Sequence, residues 1–143
     1  MSTFNRLNVA MNPYQRHYKK VLCLCSAGCL RSPTAAVVLS QEPFNFNTRA
    51  AGVDTDHAII PVDEVLIAWA DEIVCMEKRH ERVLRSMFKP EDLASTDIFV
   101  LDIPDNFAYR DPRLIAWINT KYKEVTGFGK DSEPKGEIVP EKA

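Results

Sequence analysis

One stretch dominates the chain: Val21-Leu22-Cys23-Leu24-Cys25-Ser26-Ala27-Gly28-Cys29-Leu30-Arg31-Ser32-Pro33-Thr34. Val21 to Leu24 is short and apolar and follows Lys19 and Lys20, the pattern of a buried strand. Pro33 stands where a helix would begin, with Ser32 before it as N-cap, and Ala35 to Leu39 continue that helix to about Gln41. A strand, a loop of small residues and a helix amino terminus therefore follow one another directly, and Cys25 leaves the strand at the mouth of that loop.

That order has chemical consequences. Unpaired N–H groups and the positive end of the helix dipole favour an anion at the loop. Successive backbone N–H groups of Ser26, Ala27, Gly28, Cys29, Leu30, Arg31 and Ser32 can wrap around a phosphate as a nest. A cysteine in that field, near an arginine, is expected to ionise to a nucleophilic thiolate at neutral pH. Cys25 would attack phosphorus, Arg31 would hold two phosphoryl oxygens with its fork of donors, and the Ser32 hydroxyl would donate to the sulfur.

The remaining chain alternates strands with helices. Phe44, Phe46, Thr48 and Ala50 alternate as a second strand, closed by Ala51-Gly52-Val53. A helix is predicted over Pro61 to Ala70 with Val62, Val65, Leu66 and Trp69 inward. Glu72 to Met76 reads as a third strand. Lys78 to Phe88 reads as a helix with Val83, Leu84, Met87 and Phe88 inward. Ile98 to Leu101 is the fourth strand. Asp111 to Val125 is the last helix, burying Leu114, Ile115, Ile118 and Val125 and stopped by Gly127. The expected fold is α/β, a three-layer sandwich around a four-stranded parallel sheet. Ligands bind beyond the carboxyl ends of such strands, which places Cys25 and the segment from Asp102 to Asp105 on one rim.

Cleaving a phosphate monoester also needs a proton for the leaving oxygen and a base for the water that follows. Asp102, Asp105 and Asp111 are the candidates. Asp111 precedes Pro112 and suits an N-cap, and Asp102 follows the strand directly.

The loop resembles that of the low-molecular-weight protein tyrosine phosphatases: Cys, five residues, Arg, then Ser or Thr. Ala70-Asp71-Glu72-Ile73-Val74-Cys75-Met76-Glu77-Lys78-Arg79-His80 and Leu101-Asp102-Ile103-Pro104-Asp105-Asn106-Phe107 look like a compact bacterial branch of that superfamily. The likeness runs from about Lys20 to Val125 and implies a phosphotyrosine protein phosphatase I-like fold. It implies a cysteine-dependent phosphomonoesterase, a protein tyrosine phosphatase working through a phosphocysteine on Cys25. It makes Asp105 the acid, with Asp111 the alternative, and makes Phe107 and Tyr109 a wall against the substrate ring. His57 is a further candidate for that wall. Two departures stand out. Gly28 replaces the usual Asn, and the usual second cysteine is Leu30, with Cys29 one residue earlier. A protective disulfide between Cys29 and Cys25 therefore stays open.

Three other functions compete, one of them a phosphate-binding regulatory module without turnover, which a missing acid would create. Cys-Ser-Ala-Gly after a first strand also resembles the sugar phosphotransferase B components, which carry a phosphocysteine. An arsenate reductase would need further cysteines to relay a disulfide, and only Cys75 remains downstream. Arg31 and Asp105 favour hydrolysis, since a carrier needs neither.

Composition bounds the partners. The chain has 143 residues, 45% of them hydrophobic and 27% charged, enough for one cored domain. Residues 1–18 read as a loose arm, 19–127 as the phosphatase domain and 128–143 as a flexible tail. A formal net charge of −2 gives no general attraction to nucleic acid or anionic membrane. No apolar run approaches the ~20 residues of a membrane helix, no signal-peptide pattern opens the chain, and bunched cysteines fit reduced thiols in the cytoplasm. The three histidines lack metal-ligand spacing, so neither metal nor cofactor is expected. The expected partner is a phosphorylated protein or a small aryl phosphate.

Overall fold

A computed structural model of the chain describes residues 19–26, 31–104 and 111–128. The arm over 1–18 and the tail from 129 onward lie outside the described residues. The elements run β1 (Lys20–Cys25), α1 (Arg31–Leu39), β2 (Asn47–Gly52), α2 (Glu64–Trp69), β3 (Glu72–Cys75), α3 (Lys78–Met87), α4 (Pro90–Leu93), β4 (Asp97–Val100) and α5 (Pro112–Thr126). The sheet order is β2-β1-β3-β4, parallel throughout, as the alternation of strands and helices implies. Register pairs Cys25 with Gly52 and Leu24 with Cys75, so the strand ends are level at the carboxyl rim.

β1 is buried on both faces because both faces are covered. Cys23 and Cys25 point into a core with Ala35, Ala36 and Leu39 of α1 and Leu114, Ile118 and Tyr122 of α5. Leu22 and Leu24 point the other way, against Leu66 and Ile67 of α2, Leu84 of α3 and Leu93 of α4. Each fully buried leucine contributes about 1.5–3 kcal/mol. The result is helices, sheet and helices in three layers.

Several expectations are corrected. α1 opens at Arg31, so Ser32 sits inside the first turn and does not cap from outside it. α2 begins at Glu64, because the Asp63 side chain accepts the Leu66 N–H at 2.9 Å and sets the start there; Pro61 instead bridges to Gly52. The inward face of α2 is therefore Leu66 and Ile67, and Val65 is 61% exposed. On α5 the buried stripe steps by four through Leu114, Ile118 and Tyr122, and Val125, expected with it, lies in the last turn of the helix and is 39% exposed. Phe44 is buried, but in the turn before β2, where its ring meets Phe46, Tyr122 and Phe128 at centroid distances of 5.9, 5.2 and 4.9 Å. Gly127 ends α5 with φ 75°, a left-handed cap that glycine adopts without steric cost. No helix among the described residues is long and apolar enough to cross a membrane.

Candidate active site

The strand order reverses at β1 and β3: the chain leaves β1 for one side of the sheet and later returns to its other side. Such a switch point opens a crevice beyond the carboxyl ends. Cys25 ends β1 there. Its sulfur lies 3.2 Å from Ser32 Oγ in the first turn of α1, and it is 4% exposed. The Ser32 hydroxyl donates to the Ala51 carbonyl at 3.3 Å. A small hydroxyl thus joins the nucleophile candidate to the amino end of a nine-residue helix and to β2. Arg31 is the first residue of that helix; its side chain, with Ala27, Gly28, Cys29 and Leu30, lies outside the described residues.

The exit of β2 holds the exit of β1. Val53 N–H donates to the Cys25 carbonyl at 2.9 Å and Asp54 N–H to the Ser26 carbonyl at 2.8 Å. Asp54 also pairs with His57 at 3.1 Å. The His57 side chain is mostly exposed, so its first partner is this carboxylate.

α3 supplies the opposite wall. Glu77 and His80 form a capping box, with the Glu77 N–H donating to His80 Nδ1 at 3.0 Å. His80 is fully buried. Its Nε2 lies 3.1 Å from Ser26 Oγ, and Arg79 Nη1 donates to the same oxygen at 2.8 Å. Arg79 Nε donates to Glu77 Oε1 at 2.9 Å. Between this wall and the β2 exit lies a cleft of about 460 Å³, lined by Ser26, Asp54, Asp56, Arg79, Val83 and Met87 among others. Val83 and Met87, expected in the core, are 39% and 38% exposed and face that cleft; His80 and Leu84 hold the inward positions of α3.

The acid candidates separate. Leu101 N–H donates to the Cys75 carbonyl at 2.9 Å and Ile103 N–H to the Met76 carbonyl at 2.8 Å, so the segment after β4 runs along the same rim. Asp102 is exposed there with φ 62°. Asp105, Phe107 and Tyr109 follow directly in sequence and lie outside the described residues. Asp111 caps α5: its carboxylate accepts the Arg113 N–H at 2.9 Å and the Arg113 guanidinium at 2.9 Å. Hydrogen bonding from Arg113 holds the Asp111 carboxyl below the usual carboxylate range. The other described thiols are core groups. Burial pushes Cys75 up to about 12 and raises Cys23 further, helped by the Glu72 charge. No group of three metal-ligating side chains occurs among the described residues.

Sequence reasoning placed Cys25 and Ser32 together. It missed Arg79 and the reach of His80 to Ser26. The available signal was Met76-Glu77-Lys78-Arg79-His80 standing at the end of a central strand.

The molecule has the fold of the low-molecular-weight protein tyrosine phosphatases. No family model matches the sequence, and no curated protein matches it. Solved structures do. Wzb from Vibrio vulnificus, in complex with benzylphosphonate, is 19% identical with a TM-score of 0.59, covering 75% of this chain and 96% of its own. The tyrosine phosphatase Wzb from Escherichia coli K30, in complex with phosphate, is 18% identical with a TM-score of 0.57, covering 75% and 95%. The YwlE arginine phosphatase from Geobacillus stearothermophilus is 20% identical with a TM-score of 0.55, covering 72% and 85%.

Proposed function

We propose that the protein is a cysteine-dependent phosphomonoesterase, a protein tyrosine phosphatase whose nucleophile is Cys25. The observation that carries this reading is the seat of Cys25: the last residue of a central parallel strand, its sulfur 3.2 Å from a hydroxyl in the first turn of the following helix, at the switch point of the sheet. An anion held there meets the helix dipole and the loop N–H groups together with the sulfur.

The reaction runs in two displacements. The Cys25 thiolate attacks phosphorus in line with the ester oxygen. The P–O bond breaks as a P–S bond forms, and Asp105 gives its proton to the leaving oxygen. Arg31 bridges two equatorial phosphoryl oxygens and offsets their growing charge. Asp105, now a carboxylate, takes a proton from water as that water attacks the phosphocysteine. The P–S bond breaks, and Ser32 turns its hydroxyl from Ala51 to the departing thiolate. Asp111 suits this role less well, since its carboxylate is already engaged in capping α5 and pairing with Arg113. Phe107 and Tyr109 would flank the aryl ring.

The same geometry weighs against a disulfide relay to arsenate. Cys23 and Cys75 are buried on the two faces of the sheet with their thiols pushed up, so neither is a ready nucleophile. A phosphoryl carrier would hold its phosphocysteine and release it only to a partner.

The deciding experiment is turnover of p-nitrophenyl phosphate, followed by a panel of phosphotyrosine, phosphoserine and phosphoarginine peptides and arsenate. Steady multiple turnover, inhibition by vanadate and preference for phosphotyrosine are expected. A single stoichiometric burst with no turnover would identify a carrier, and consumption of arsenate with thiol oxidation would identify a reductase.

A further inference from the structure

Ser26 separates the nucleophile from the rest of its loop, and it is held from two sides. Its carbonyl accepts from Asp54 N–H at 2.8 Å. Its hydroxyl oxygen meets Arg79 Nη1 at 2.8 Å and His80 Nε2 at 3.1 Å. The tautomer of His80 follows from its other partner. A backbone N–H can only donate, so the 3.0 Å contact from Glu77 N–H leaves Nδ1 as acceptor. The neutral ring then carries its proton on Nε2 and donates it to Ser26 Oγ.

Capping alone does not require this. Any N3 side chain with an acceptor can reach back to the N-cap N–H, and Glu or Gln is the usual choice. The cap needs neither complete burial nor a donor aimed across the switch point at the neighbour of the nucleophile. We propose that His80 is a positioning residue for the nucleophile loop. Its Nε2–H holds Ser26, and through Ser26 it sets where the Cys25 sulfur and the first loop N–H groups stand relative to a bound phosphoryl group. Arg79 reinforces the same oxygen from the cleft side. The inference rests on the phosphatase reading for its effect on turnover, but the link itself does not.

Two substitutions divide the roles. His80→Asn keeps an acceptor near the Nδ1 position for the cap and is too short to reach Ser26. His80→Gln has the length to satisfy both. With p-nitrophenyl phosphate, His80→Asn is expected to lower kcat/KM about 10-fold or more, with kcat carrying part of the loss, because small misplacements of reacting groups cost heavily. His80→Gln should stay within about 3-fold of the wild type on the same reasoning. Ser26→Ala, which also removes the acceptor of Arg79, should lose at least as much, and His80→Asn added to Ser26→Ala should cost nearly nothing more, since the His80–Ser26 interaction is then already gone. A readout independent of turnover is the rate of Cys25 alkylation by iodoacetamide, resolved from Cys29 by fragment-ion mass spectrometry. It should change in His80→Asn and Ser26→Ala alike, not in His80→Gln, and with the same non-additivity. Equal behaviour of His80→Asn and His80→Gln, or full additivity with Ser26→Ala, would overturn the proposal. If the wild-type protein does not turn over any phosphate ester, the phosphatase reading fails, and the alkylation series still decides the link.

Discussion

The two edges of the sheet use buried polar groups in opposite ways. At the amino edge Glu72 opens β3 and is 2% exposed. Tyr122 OH donates to its Oε2 at 2.7 Å and Lys19 Nζ to its Oε1 at 3.0 Å, while Asp71 accepts the Lys20 N–H at 3.0 Å. Each carboxylate there is closed by donors from the protein itself. At the carboxyl edge Arg79 donates to the Ser26 hydroxyl and the Asp54 N–H to the Ser26 carbonyl, but they do so around an open cleft that Ser26, the residue after Cys25, helps to line. A buried charge is therefore no sign of a site by itself; polar groups converging on a hollow are. The amino edge spends its polar groups on joining β3 to α5 and β1, and the carboxyl edge spends them on placing a loop.

The strongest way to break this contrast is at Cys25. Cys25→Ser should reduce aryl phosphate hydrolysis by about 10⁴-fold or more, the scale of losing a nucleophile, while isothermal titration still detects phosphate binding. Undiminished turnover would move the chemistry elsewhere. Asp105→Asn should slow turnover by about 100-fold, the usual weight of general acid catalysis. Asp111→Asn should change it little, because Asn caps a helix nearly as well as Asp; the reverse order of these two in steady-state kinetics would reassign the acid. At the other edge Tyr122→Phe leaves buried Glu72 short of a donor and should cost about 1–3 kcal/mol in urea unfolding, with kcat unchanged.

The effect smallest near neutral pH is a pH slope. The folded thiols of Cys23 and Cys75 titrate far above their ordinary value of 9.0. Their contribution to stability is full below the unfolded pKa and is lost as pH rises toward the folded one. Unfolding free energy should therefore fall from about pH 9 upward, by roughly 1 kcal/mol per pH unit for each thiol. The Tyr122 phenol, raised by burial and by Glu72, adds its own loss above its ordinary value of 10.0. Denaturation midpoints across this range check the sign, and Cys75→Val should flatten the slope.

The sequence made the carboxyl edge legible because its chemistry is local. Cys25 and Ser32 are seven residues apart, and the apolar run, small loop and Ser-Pro step describe their surroundings directly. The caps at Asp111 and Gly127 are local in the same way. What stayed hidden is held between distant segments. Ser26 meets Arg79 and His80 across 53 and 54 positions, and no periodicity reports such a pairing. Val83 and Met87 repeat at helical spacing like core residues, yet they border the cleft because α3 turns His80 and Leu84 inward. Val65 misled similarly, since the start of α2 depended on Asp63 acting as a cap.

The central claim is that the Cys25 sulfur takes up the phosphoryl group, and rapid acid quench of the Asp105→Asn protein with p-nitrophenyl phosphate tests it most directly. Peptide mass mapping should find one phosphoryl group on Cys25, absent when Cys25→Ala is treated identically. A phosphoryl group on any other residue, or sustained hydrolysis by the Cys25→Ala protein, would contradict the account.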